Sequence, residues 1–171
     1  MREIETAPLA DYAACNRTIL MSEAFAIHEK WMGERPQDYG ALARERLMGG
    51  AFVRAADYVN ATRLRRKMTE AFHAQFTDID VAITASAMDT GCRIDDPAAV
   101  EYTYGRQARA PFNVTGSPAI SVPVGFSKAG LPLAMQIVGK PYSEALIYRV
   151  ADAYEQATDW VNMHPKLEPV S

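Results

Sequence analysis

Apolar residues recur at near-helical spacing from position 9 onward. Leu9, Ala13, Leu20, Ala24, Ile27 and Trp31 set one stripe along a helix predicted over residues 10–31. Pro8 precedes this element, and Gly33 and Pro36 end it. Residues 1–6 are short and charged and read as a strand or a linker. A second helix is predicted over 39–48, where Gly49-Gly50 interrupts it, because paired glycines weaken a helix and permit a turn. The clearest pattern covers 52–76. Ala61, Leu64, Met68, Phe72 and Phe76 form an apolar stripe, and Arg63, Arg66, Lys67 and Glu70 mark the polar face. Asp78-Ile79-Asp80 breaks the pattern, and 81–84 reads as a short buried strand.

Residues 85–109 show little periodicity. Gly91, Asp95, Asp96 and Pro97 suit a surface excursion, and a loop of this length is usually functional or poorly ordered. The next segment is dense in Gly and Pro yet apolar. Residues 119–126 are β-branched, with Ile120, Val122 and Val124 on one face. Pro123 within that strand demands an edge, a bulge, or a position whose N–H would point away from a partner. Ser127 to Gly130 supplies a turn, and 133–138 returns as the second strand of a hairpin. Ser143 is placed as an N-cap, with Glu144 in the first turn of a last helix that runs to about residue 157. Leu146, Val150, Ala153 and Tyr154 are its expected buried side. The tail after Trp160, with Pro165 and Pro169, is expected to be loosely held.

Composition adds bounds. The chain has 171 residues, 49% hydrophobic and 23% charged, which suits one soluble globular domain over 1–171. A net charge of −3 argues against a polyanion binder, so no nucleic-acid partner is expected. The one basic run, Arg63 to Lys67, reads as a solvated helix face. Cys15 and Cys92 suggest neither a disulfide framework nor a zinc site, and His28, His73 and His164 lack metal-ligand spacing. Asp78, Asp80, Asp89, Asp95 and Asp96 form no metal loop, so no metal is expected. The sequence shows no leader pattern and no apolar run of membrane length, which makes the reducing cytoplasm the expected compartment and a membrane partner unexpected.

The run from Asn113 through Gly116, Ser117 and Pro118 to Pro123 resembles the C-terminal hallmark of the amidase signature family. So do Gly130-Leu131-Pro132, then Gln136-Ile137-Val138-Gly139, and the helix carrying Glu144. Upstream, Glu23-Ala24 with His28 at helical spacing and Asp80 to Thr84 are similar to further family segments. Ala134 and Ala85 stand where the family often has glycine and proline. The resemblance implies an α/β fold: a partial mixed sheet with a C-terminal β-hairpin, packed against several helices. It also implies amide hydrolysis without metal or cofactor. The family's serine–cis-serine–lysine triad belongs to a Gly/Ser-rich signature and a lysine segment that this sequence does not contain. The chain therefore resembles the C-terminal portion of such an enzyme and is expected to be inactive alone.

Several residues carry candidate chemistry. A serine nucleophile needs a neighbouring base and oxyanion donors, and no motif supplies a base for Ser117. Ser117 is expected to be structural, as are Gly116, Pro118, Pro123, Gly130, Pro132, Gln136, Gly139 and Glu144. Ser121 is expected on the other face of its strand from Ile120 and Val122. Lys128 and Lys140 sit in turns, where solvated lysines are ordinary and no catalytic role is expected. By the resemblance, Ser86, Ala87, Met88 and Tyr104, with the approach to Asn113, shape a substrate pocket. Asn113 itself is expected to pin a turn. Three readings follow. The first is a C-terminal amidase portion acting on a small-molecule amide with the missing N-terminal portion. The second is a non-catalytic complementing chain or homo-oligomer. The third is part of the A subunit of a transfer-RNA amidotransferase.

Overall fold

The molecule is described from a computed structural model covering residues 1–106 and 108–164. The expected loose tail lies largely outside these residues. Chain order is α1 (Leu9–Glu34), α2 (Ala41–Met48), α3 (Ala55–Ala74), β1 (Ala82–Ala85), α4 (Pro97–Tyr104), α5 (Ala110–Thr115), β2 (Ala119–Phe126), β3 (Pro132–Val138) and α6 (Glu144–Gln156). The three strands form one sheet in the order β1-β3-β2, with both pairings antiparallel. The α/β class holds, and the hairpin β2–β3 forms as predicted.

β3 is the central strand. Ile137 and Val138 are fully buried, and they serve opposite faces because side chains alternate across a strand. Ile137 joins Val122, Ile147 and Ala151, the face that α6 covers. Val138 joins Phe72, Phe76 and Phe112, from α3, the turn after it, and α5. The rings of Phe72 and Phe76 meet edge-on at 5.3 Å, and those of Phe72 and Phe112 lie 5.8 Å apart, both within the range aromatic pairs favour. A third cluster, with Tyr12, Cys15, Ile19, Ala61, Met68 and Val114, holds α1, α3 and α5 together.

Helix faces follow the pattern unevenly. On α3, Ala61, Met68 and Phe72 are buried as predicted, and Leu64 is exposed. On α1 the predicted stripe is the outer one. Leu20, Ile27 and Trp31 are exposed, whereas Tyr12, Cys15, Ile19 and Met32 are buried. Both sets recur at helical spacing, and Tyr12, Cys15 and Ile19 of the inner set pack with residues of α3 and α5. On α6 the buried line is Ile147 and Ala151, with Val150 and Tyr154 packed beside it, and Ala153 faces out. Ser143 occupies the N-cap position of α6, but its hydroxyl donates to the Lys140 carbonyl at 2.6 Å instead of capping.

The predicted loop 85–109 contains a helix, α4. Asp96 caps it by accepting the Ala99 N–H at 3.1 Å, and Pro97 sits at its first turn. The approach to Ser117 is helical too, as α5. Gly116, at φ 68°, ends α5, and the N–H groups of both Gly116 and Ser117 bond back to the Phe112 carbonyl. Pro123 resolves as an edge residue beside an irregularity, because β2 is an outer strand and its register shifts between Pro123 and Gly125.

Gly50 marks a close helix approach. A Cβ there would collide with the Met21 carbonyl oxygen and the Phe25 Cβ on α1. Backbone cannot yield as a side-chain tip can, so Gly50→Ala should destabilise the fold by about 1–3 kcal/mol. Gly91 has open space around it, and Gly91→Ala should stay within about 0.5 kcal/mol of the parent. Urea denaturation of the two variants checks the difference.

Candidate functional site

Beside β1 lies an apolar groove of ≈ 630 Å³. Its lining comes from β1 and its approach, Val81 to Thr84, from Phe72 of α3, Ile79 and Phe112 of α5, from the N-terminal segment with Met1, Ile4 and Leu9, and from Met88. Polar groups are few: Arg2, Glu3, Thr6 and Thr84. Arg2 is already engaged, donating to Asp78 Oδ1 and to the Gln75 carbonyl, each at 2.8 Å. That pair straps the N-terminal segment to the end of α3.

Of the residues singled out for a pocket, Met88 lines this groove, as do Ala108, Pro111 and Phe112 of the approach to Asn113, whereas Ser86, Ala87, Tyr104 and Asn113 do not. Ser86 follows β1, and its hydroxyl lies 2.8 Å from that of Ser121 on β2. Ala87 is exposed. Tyr104 ends α4, half-exposed, with the Arg46 guanidinium 4.3 Å from its ring centroid. Asn113 is exposed on α5, where its N–H bonds the Arg109 carbonyl at 3.3 Å. Of the groove's lining, Phe72 carried a core signal in the sequence, Ile79 lay in the break after the α3 pattern, and Pro111 and Phe112 lay in the approach to Asn113 that the resemblance placed at a pocket.

The excursion between β1 and α5 is tied at its base. The Met88 N–H donates to the Arg106 carbonyl at 3.2 Å, and Arg106 Nε donates to Asp89 Oδ2 at 2.6 Å. Asp89, followed by the nearby Tyr102, raises the Arg106 guanidinium above its ordinary pKa. The Arg46–Tyr104 contact anchors the far side to α2. This excursion is therefore a folded unit, not a loose loop.

Ser117 has a histidine after all. His73 Nε2, from α3, lies 3.2 Å from Ser117 Oγ, and Thr115 Oγ1 lies 2.9 Å on the other side. Sequence reasoning missed the contact because 44 residues separate the pair and no motif spans them. Ser117 is only 8% exposed. Neither it nor His73 lines the groove, and among the described residues no acid orients the ring. The triplet satisfies buried polar groups. Gln136 does likewise in the sheet: it is buried, and its Nε2 donates to the Ala85 carbonyl at 3.1 Å. Lys128 and Lys140 are exposed.

Among the described residues no three His, Cys, Asp or Glu side chains gather as metal ligands, and no helix is long and apolar enough to cross a membrane.

A layered α/β unit, with one sheet face on α6 and the other on α3 and α5, is shared with solved structures. One described as a crystal structure of amidase superposes with a TM-score of 0.77 at 19% identity, covering 88% of this chain and 36% of that one. The S177A allophanate hydrolase of Kluyveromyces lactis gives 0.75 at 20% identity, covering 88% and 25%. These likenesses show the fold. The sequence model of the family described as Amidase matches residues 4–148, so the chain belongs to the amidase family. The A subunit of glutamyl-tRNA(Gln) amidotransferase from Thermosynechococcus vestitus is 32% identical over 169 residues, 95% of this chain. The Thermodesulfovibrio yellowstonii protein of the same description is 35% identical over 148 residues, 81% of this chain. The chain spans 35% of the first relative's length and 30% of the second's.

Cysteine reactivity gives a direct check on burial. Cys15 is buried, and its Sγ lies 3.3 Å from the Ala61 carbonyl. Burial pushes its thiol pKa up, and the opposing charge of Arg65 does not reverse this. Cys92 is exposed. Iodoacetamide at mildly alkaline pH should modify one cysteine per folded chain, at Cys92, and both in denaturant. Mass spectrometry of the digested protein reads the outcome.

Proposed function

We propose that this chain is the C-terminal portion of an amidase that hydrolyses a carboxylic amide to an acid and ammonia or an amine, and that the chain alone is inactive. The observation that carries this reading is the combination of a family match over residues 4–148 with a span of 35% of the first relative's length. The internal chemistry agrees. The serine that has a base nearby, Ser117, is held between His73 and Thr115 away from the groove. The exposed hydroxyl pair, Ser86 and Ser121, bond to each other, and among the described residues no histidine or lysine bonds to either. A nucleophile needs its base, an open approach and oxyanion donors together. The groove supplies an apolar wall of the kind that could border an acyl group, with the reacting groups contributed by another segment.

A second reading has its own support. Both of these relatives are amidotransferase A subunits, so the parent activity could be transfer of ammonia to a charged transfer RNA within a multi-subunit enzyme. The net charge of −3 leaves RNA contacts to other polypeptides.

The purified chain should release no ammonia from simple aliphatic and aromatic amides, and Ser117→Ala should leave that background unchanged. Turnover by the chain that Ser117→Ala abolishes would overturn this reading and make the Ser117–His73 pair a catalytic dyad. A coupled ammonia assay at neutral pH is sufficient.

A further inference from the structure

The two free edges of the sheet differ, and the difference says where another polypeptide adds. The hydrogen-bond phase fixes which groups face outward. The Ser86 N–H donates to the Ala134 carbonyl, so with the β1–β3 register Thr84 and Ala82 also bond to β3. In an antiparallel pair alternate residues bond the partner and the others point away. Ile83 and Ala85 therefore direct their backbone groups outward from β1. On the other side, the Gly139 N–H donates to the Pro118 carbonyl, which with the β2–β3 register turns Ala119, Ser121 and Pro123 outward from β2.

The β2 edge is closed. Pro123 stands in an outward position and offers no donor, the register breaks at the next residue, and Trp160 packs against this end of the strand through Phe126 and Gly125. Proline and irregular register are the devices that blunt an edge. The β1 edge carries none of them. Its residues are Ala-Ile-Thr-Ala, uncharged and without proline. Among the described residues the Ile83 N–H and C=O and the Ala85 N–H have no partner, while Gln136 occupies one lone pair of the Ala85 carbonyl. Ile83 is 59% exposed, beside Ile137, which is fully buried in the same row. Val81 to Thr84 of this edge line the apolar groove together with Met1 to Ile4.

We propose that β1 receives an extended, apolar strand from the polypeptide that carries the rest of the amidase length, pairing with Ile83 and Ala85 and seating alternate side chains in the groove. This rests on the reading of the chain as part of an amidase. The span of 35% of the first relative leaves a large remainder to be accommodated. The open edge, the groove and the N-terminal segment all coincide at one place. Main-chain pairing supplies the affinity and the groove supplies the side-chain selection.

The test is coexpression of this chain with the part of the Thermosynechococcus vestitus relative that it does not match, as a separate tagged polypeptide. The wild-type chain should copurify, and the Ile83 and Ala85 amides should exchange with solvent about tenfold or more slowly in the complex than in the chain alone. Ala85→Pro removes an outward N–H and fixes φ at a value that edge strands accept, and Ile83→Lys places a charge on the edge. Each should weaken association about tenfold or more while the thermal midpoint of the chain stays near the parent's. Ile94→Lys, which removes an exposed apolar group away from the edge, should change nothing. A complex that forms without protecting Ile83 and Ala85, or that tolerates both edge variants, overturns the proposal, and so does the absence of any complex. Amide turnover by the complex is scored separately. Turnover without β1 protection would leave the amidase reading standing and sink the strand addition. Protection without turnover would support the strand addition and count against the activity.

Discussion

The position of β3 between its neighbours is the constraint from which the rest follows. Its side chains alternate between two cores that share nothing else, with Ile137 facing α6 and Val138 facing the phenylalanine cluster. A one-residue slip would exchange these faces and send Gln136 into the α6 side. Gln136 itself opposes that slip. Buried in the sheet, it satisfies its amide on the Ala85 carbonyl, and an unsatisfied buried amide would cost about 1–3 kcal/mol. The same register decides which groups leave the sheet at each edge. Packing, polar satisfaction and the asymmetry of the edges are thus one geometric fact.

Two devices hold β3 at its ends. At the hairpin, Gly130 at φ 78° permits the turn, and the Ser127 hydroxyl accepts the Leu131 N–H at 3.1 Å. At the other end, Gly139 lets β3 pass directly under α6, where any side chain would meet Ser143 and Ile147. The family-like run of Gly, Pro and small residues from Gly116 to Gly139 therefore has a mechanical role. It launches β2, turns it back, and brings the returning strand against a helix. None of it needs to touch substrate for its residue types to be required.

What the sequence made legible follows the same division. α3 was readable because its apolar stripe is single and its polar face strongly charged. α1 was not, because two apolar lines run along it and spacing cannot say which one meets the core. α4 and α5 were hidden by their length. At 8 and 6 residues they are too short for periodicity to register, although Asp96-Pro97 was a visible start signal. The side-chain chemistry was least legible. The Ser117–His73 contact joins segments that only the tertiary fold brings together, and the groove gathers residues from the N-terminal segment, α3, β1 and the approach to α5 that no single stretch of pattern links.

The exposed line on α1 and the bare edge of β1 bear on the same point. Leu20, Ile27 and Trp31 stand out on a helix whose inner face is already satisfied. Ile83 stands out on a strand whose neighbour is wholly buried. Single exposed apolar residues are ordinary, but rows of them on regular elements are not. By contrast, β2 ends against Trp160 and carries Pro123 outward, so that edge is finished. A sheet with one finished edge and one bare one has a direction in which it grows. That direction runs through the groove, and it makes the groove a boundary between this chain and further structure more readily than a self-contained site.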